Sequence, residues 1–277
     1  MPGEERRKRN LPSRRSILAL YCDKAFAAPF GETAPNCPFQ RSFVEPASHQ
    51  RRAMPSRYFP SVRNISPEGL VAVGGRMAPD WLLDAYRHGI FPWPSSSDEP
   101  MLWWSPDPRA ILPLDGMHVS RRLQRRLRRG EFQASCNRAF RDVMEACSIG
   151  PGREGGTWIL PEMIDAYARL HKMGAAHSVE VWSDGELAGG VYGVAIGGLF
   201  AAESMFYRVR DASKVALALL VGHLRRRGFQ LLDVQQSTRH TATLGVIDIP
   251  RREYLRRLTA AVDLPVTFGK VLEEVLP

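Results

Sequence analysis

Residues 177–206 read as three β-forming runs separated by tight-turn pairs: "HSVEVW", the turn "SDGE", "LAGGVYGVAI", the turn "GG", and "LFAAESMF". Asp-Gly and Gly-Gly between runs rich in β-branched and aromatic residues specify hairpins, so this stretch predicts a three-stranded antiparallel meander. Its flanks are helical. "PEMIDAYARLHKMG" upstream places Met163, Ala166, Tyr167 and Leu170 on one side and stops at Gly174. Downstream, Asp211 and Ser213 are N-cap candidates for "KVALALLVGHLRRRG". That helix is apolar around most of its girth and predicted to be buried, with its arginines at the end that the helix dipole favours. A further strand, "FQLLDVQ", follows at once. Helix, three antiparallel strands, helix and strand in that order describe an α+β sandwich around an open sheet.

The rest of the chain divides by texture. Residues 1–50 show no sustained periodicity, "SILALYC" is a poor match to a signal-peptide core, and the segment reads as a flexible basic extension. Residues 51–107 are dense in Pro, Gly and Trp and carry one clear helix, "APDWLLDAYRHG", with Trp81, Leu82, Ala85 and Tyr86 on its apolar face. They predict a small N-terminal α+β domain. A proline-rich crossing at 105–108 leads into a larger domain over 108–277.

The formal net charge of +9 makes an anionic partner the expectation. Nucleic acid ranks ahead of membrane, because no apolar run approaches the roughly 18 residues needed to span a bilayer. Four cysteines without a CxxC pair fit a reducing cytoplasm and exclude a thiolate metal site. His171, His177 and His240 show no HExxH or HxxEH spacing, so no metal is expected either.

Acids on apolar strands are the chemical signal. In "FQLLDVQ" alternation sends Asp233 and Gln235 to one face, roughly 7 Å apart along the strand. Glu203 sits among Ala201, Ala202, Met205 and Phe206, with no cation nearer in sequence than Arg208. An unpaired buried carboxylate costs several kcal/mol, so each acid requires a partner, a raised pKa or a substrate to hold. A structural hydrogen bond to a backbone amide would also serve.

"GLVAVGG", "WLLDAYRHGIFPW", "LWWSPDPRAIL", "TWI", "AYARLHKMGAAHSVEVW", "GGVYGVAIGGLFAAESMF", "ASKVALALL", "DVQ" and "HTATLGVIDIPRREYLRRL" together resemble leucyl/phenylalanyl-tRNA–protein transferases, in order and with similar spacing. The resemblance implies an enzyme that moves leucine or phenylalanine, and more weakly methionine, from aminoacyl-tRNA to a protein's N-terminal Arg or Lys, marking it for N-degron proteolysis. It implies a small N-terminal domain beside a GNAT-like acyltransferase domain, no cofactor and a cytoplasmic monomer. By the same resemblance Asp233, Gln235 and Glu203 are catalytic, Trp93 and Trp158 sandwich the terminal adenine, and Phe200, Met205 and Leu232 line the donor side-chain pocket. Val234 stands where cysteine is common, and "QSTRH" replaces a more usual asparagine-containing loop.

Chemistry makes such roles sensible. An aminoacyl ester is already activated, so peptide-bond formation needs positioning and proton removal rather than ATP, metal or a covalent nucleophile. The expected arrangement is a relay in which Asp233 polarises Gln235, whose carbonyl holds the amine. Glu203 would orient the acceptor or compensate its charge, in one small cavity with the apolar wall of Phe200 and Met205. For the nucleic acid, "SRRLQRRLRRG" puts Arg121, Arg122, Arg125, Arg126, Arg128 and Arg129 on a helix without an intervening acid, a basic stripe suited to phosphate. Trp103 and Trp104 read as core. An acyl-CoA acyltransferase would require a glycine-rich cradle before the helix that opens "RVRDASK", and those glycines are missing. A non-catalytic RNA-binding module would have no use for buried Asp233, Gln235 and Glu203.

Overall fold

The computed structural model describes residues 55–149 and 156–273; the predicted extension at 1–50 lies outside them. The described residues form one compact unit. In chain order its elements are β1 (Leu70–Val73), α1 (Pro79–Arg87), β2 (Phe91–Pro92), β3 (Leu102–Trp104), β4 (Arg109–Ile111), α2 (Arg121–Arg128), β5 (Gln133–Cys136), α3 (Phe140–Ile149), α4 (Pro161–Lys172), β6 (Ala176–Ser183), β7 (Glu186–Ile196), β8 (Leu199–Tyr207), α5 (Ala212–Arg227), β9 (Leu231–Gln235), α6 (Arg239–Ala242), β10 (Ile247–Ile249) and α7 (Arg251–Ala261).

The meander forms as its turns dictate. β6, β7 and β8 pair antiparallel, and the first hairpin turns on Asp184 (φ 53°) and Gly185 (φ 81°), the two successive left-handed residues that a two-residue loop with the strands' own twist requires. The sheet is larger than the sequence pattern foretold. Seven strands run in the order β10-β4-β9-β8-β7-β6-β5, and a separate three-stranded sheet holds β1-β3-β2. The strands added to the large sheet, β4, β5 and β10, are three or four residues long, too short to show a period of two.

Each face of the large sheet carries its own core. Val143, Met163, Tyr167, Tyr192 and Leu199 belong to one cluster, which also takes in Tyr86 and Tyr254. Phe200, Leu232, Val191 and the buried side of α5, including Leu220 and Leu224, belong to the other. The helix predicted to be buried around most of its girth is so: every residue from Ala212 to Leu224 except Lys214 is buried. Asp211 occupies its N-cap position but makes no cap hydrogen bond, because its carboxylate is taken by Arg122, Arg126 and Lys214. Trp103 is fully buried and donates to the Gly74 carbonyl, while Trp104 packs half-buried against the same core.

Candidate active site

β8 and β9 are parallel neighbours for only three residue pairs, ending at Ala201 opposite Asp233. Beyond that point the ladder stops, and two irregularities bring polar side chains to the opening. On β8, Tyr192 pairs with Ser204 and the next residue, Gly193, pairs with Ala202, so Glu203 is the extra residue of a β-bulge. On β9, Gln235 adopts a left-handed conformation (φ 61°). For a residue with a Cβ that conformation costs about 1–2 kcal/mol. The Gln235 side chain thereby crosses the gap, and its Nε2 donates to Glu203 Oε1 at 2.6 Å.

Asp233 compensates that backbone strain. Its Oδ1 accepts the Gln235 backbone N–H at 2.9 Å. Arg109 from β4 clasps the same carboxylate in a two-pronged pair, Nε to Oδ1 at 2.9 Å and Nη2 to Oδ2 at 2.6 Å. The Tyr254 hydroxyl of α7 donates to Oδ2 at 2.8 Å. Each carboxylate oxygen thus receives two donors, which fills the roughly four lone-pair positions of an ionised carboxylate. Asp233 and Arg109 are both buried, and Arg109 is anchored further by the Gly89 carbonyl and by the ring faces of Phe91 and Tyr254.

Glu203 lives by opposite rules. Among the described residues it forms no ion pair, and its neighbours are neutral donors: Gln235, the Tyr167 hydroxyl at 3.4 Å from Oε2, and Tyr86, whose hydroxyl also bonds that of Tyr167. Burial pushes its carboxyl up to about 8, and the charge of Asp233 adds to this, while bonds from Tyr86, Gln235 and Tyr167 oppose it. Of the three solutions open to a buried acid, Asp233 has taken a partner and Glu203 a raised pKa. Asp233 is saturated by its partners, and Glu203, able to gain or lose a proton near neutrality, is the acid equipped to exchange one with an amine.

The leucyl/phenylalanyl-tRNA protein transferase family model matches residues 111–259, and the model of that family's N-terminal domain matches residues 75–107. The chain belongs to this family. A leucyl/phenylalanyl-tRNA–protein transferase of Nitratidesulfovibrio vulgaris is 49% identical over 213 residues, 76% of this chain and 91% of that one. One from Thiobacillus denitrificans is 52% identical over 212 residues, 75% of this chain and 92% of that one. Among solved structures, a ribosomal-protein-alanine N-acetyltransferase from Brucella melitensis biovar Abortus 2308 aligns with 48% of this chain and 92% of its own at 18% identity and a TM-score of 0.30, too distant to bear on function.

In this transferase-family chain the expected residues fall into separate groups. Asp233, Gln235 and Glu203 are brought together, but Asp233 reaches the Gln235 main chain and not its side-chain amide, so the expected polarising relay is absent from the geometry. Phe200, Met205 and Leu232 share the cluster packed against α5. Glu203 bonds toward Tyr86 and Tyr167 in the opposite cluster, so wall and acid do not line one cavity as expected. The bulge explains this: the inserted residue reverses the alternation, bringing Phe200 and Met205 to one face although five positions separate them. Trp93 and Trp158 meet with ring centroids 6.3 Å apart at 58°. Sequence reading missed Arg109, Tyr254, Tyr86 and Tyr167. Only the last two carried a signal, as aromatic residues on the apolar faces of predicted helices.

The arginine helix is less uniform than its sequence. Arg122 and Arg126 are tied to Asp211, and Arg126 and Arg129 to Glu131. Arg121, Arg125 and Arg128 are exposed, make no ion pair among the described residues, and recur at the four- and three-residue steps of one helix face. Changing these three to glutamine is therefore expected to flatten the salt dependence of tRNA affinity by up to about three units of slope. Filter binding across a salt series measures it, and an unchanged slope would mean that the stripe faces solvent only.

Proposed function

We propose that the chain transfers leucine or phenylalanine, and more weakly methionine, from aminoacyl-tRNA to the N-terminal Arg or Lys of acceptor proteins, marking them for N-degron proteolysis, as a cytoplasmic monomer without a cofactor. In this reading residues 51–107 form a small N-terminal domain and residues 108–277 a GNAT-like catalytic domain. Family membership supports the reading, and the observation that carries it is the Gln235–Glu203 pair at the mouth of the divided strands. With its Nε2 committed to Glu203, Gln235 presents Oε1 to an incoming amine. Asp233 has no acceptor position left, so Glu203 is the group beside that amine able to take its proton.

The step balances simply. In molecules whose Glu203 is ionised, a fraction that grows as the pH climbs towards about 8, the acceptor ammonium gives one proton to the Glu203 carboxylate, and the free amine attacks the ester carbonyl carbon. A C–N bond forms, the C–O bond to the ribose breaks, and the proton shed by the new amide nitrogen ends on the ribose oxygen. Phe200, Met205 and Leu232 would select the donor side chain by the volume they leave. Trp93 and Trp158 would hold the terminal adenine, which requires their rings to part and turn parallel, with stacking worth about 1–3 kcal/mol. Arg121, Arg122, Arg125, Arg126, Arg128 and Arg129 would meet tRNA phosphates.

Turnover with leucyl-tRNA and an Arg-starting peptide tests the reading. Gln235→Ala is expected to lower turnover at least about tenfold with tRNA affinity nearly unchanged. Wild-type turnover in that variant would remove Gln235 from the chemistry, and no transfer by the unaltered protein would defeat the function itself.

A further inference from the structure

Arg109 lies 124 residues before Asp233 and Tyr254 lies 21 after it, yet all three meet in a buried cluster behind Gln235. An isolated aspartate could satisfy one backbone N–H without this company. Here the guanidinium fork fixes the carboxylate plane, the tyrosine hydroxyl fills the last acceptor position, and Oδ1 is left with one orientation toward the Gln235 N–H. Arg109 is itself held at its far end by the Gly89 carbonyl, just past the C-terminus of α1, and Tyr254 belongs to α7. The post that keeps Gln235 left-handed is therefore built from four separate parts of the fold.

We propose that Arg109 and Tyr254 are positioning residues for aminoacyl transfer: acting through Asp233, they hold the Gln235 main chain in the left-handed conformation that aims its amide at Glu203 and at the attacking amine. The proposal rests on the transferase reading above. It assigns Asp233 a geometric task in place of a proton-relay one, and it gives the chain a reason to carry a buried arginine in "DPRAIL". Misplacing a group that orients a nucleophile by about an ångström can cost as much as a hundredfold in rate, so a loosened Gln235 should appear in the chemical step and not in substrate capture.

Tyr254→Phe removes one oxygen and keeps the ring that packs on Arg109. It should lower kcat about tenfold with leucyl-tRNA and an Arg-starting peptide while both KM values stay within about twofold. Arg109→Lys, which replaces the planar fork with a point charge, should lower kcat further. In both variants the backbone amide of Gln235 should exchange with deuterium at least about tenfold faster, whereas amides of β6 and β7 keep their protection. Unaltered kcat in Tyr254→Phe overturns the proposal. So does a fall in kcat with Gln235 exchange unchanged, or a rise in KM that accounts for the whole loss. If Arg109→Lys fails to fold, Tyr254→Phe decides alone. Should the unaltered protein transfer nothing, the transferase reading falls, and Gln235 exchange in Tyr254→Phe still decides whether the lock exists.

Discussion

Glu203→Gln is expected to make the protein a poorer catalyst and a more stable fold at the same time. If Glu203 takes the amine's proton, glutamine cannot replace it, and turnover should fall by about 10²–10⁴-fold for every donor alike. The stability change runs the other way. The Glu203 carboxyl ordinarily titrates near 4.5 and is pushed up to about 8 in the folded chain, first of all by burial. A pKa raised on folding contributes stability that is complete below the unfolded value and is lost as pH climbs through the folded one. Between about pH 4.5 and 8 the unaltered protein should therefore weaken progressively relative to the variant, with a gap on the order of 3–5 kcal/mol above pH 8. Urea unfolding at pH 5, 6.5 and 8.5 measures that gap, and leucyl- and phenylalanyl-tRNA kinetics measure the other half. A gap that does not widen with pH would mean the acid is not held neutral. A change confined to the ratio of donors would place Glu203 in donor selection instead.

Asp233→Ala should do its damage to the fold. It leaves the Arg109 guanidinium buried with its carboxylate gone and exposes the Gln235 N–H and the Tyr254 hydroxyl to the same loss. Breaking one side of a buried ion pair typically costs about 3–5 kcal/mol, a large share of the 5–15 kcal/mol that keeps an ordinary domain folded. Removing the charge at both ends, with Asp233→Ala and Arg109→Met together, should recover a good part of the loss, because an apolar replacement no longer strands a charge. Chemical denaturation of the two single variants and the double variant reads the coupling directly. Equal costs in Asp233→Ala and in the double variant would show that the pair's electrostatics matter less than the hydrogen bond to Gln235.

How far the sequence foretold this molecule depends on the reach of the interactions involved. The meander, α4 and α5 were legible because turn pairs and periodicity are local, and their residues repeat the pattern several times over. Asp233 and Glu203 were legible as anomalies on apolar strands. Their different solutions were not, since Arg109 comes from a three-residue strand with no period of its own, and an arginine in sequence carries no sign that it will be buried. The left-handed turn of Gln235 and the bulge at Glu203 were equally silent. Neither uses glycine, and both depend on contacts made after the sheet has assembled. Strict alternation would have sent Phe200 and Met205 to opposite faces, and only the extra residue reunites them.

That extra residue also makes the sheet a partition. The groups proposed to measure the donor belong to the core cluster on the side of α5, and Glu203, proposed to take the proton, bonds toward Tyr86 and Tyr167 in the other cluster. Substitutions in the two clusters should add rather than compound wherever the altered side chains do not touch. A lineage, or an engineer, could then widen or narrow the range of amino acids accepted by drifting through the α5 face alone. The proton chemistry would stay fixed while the choice of cargo evolved.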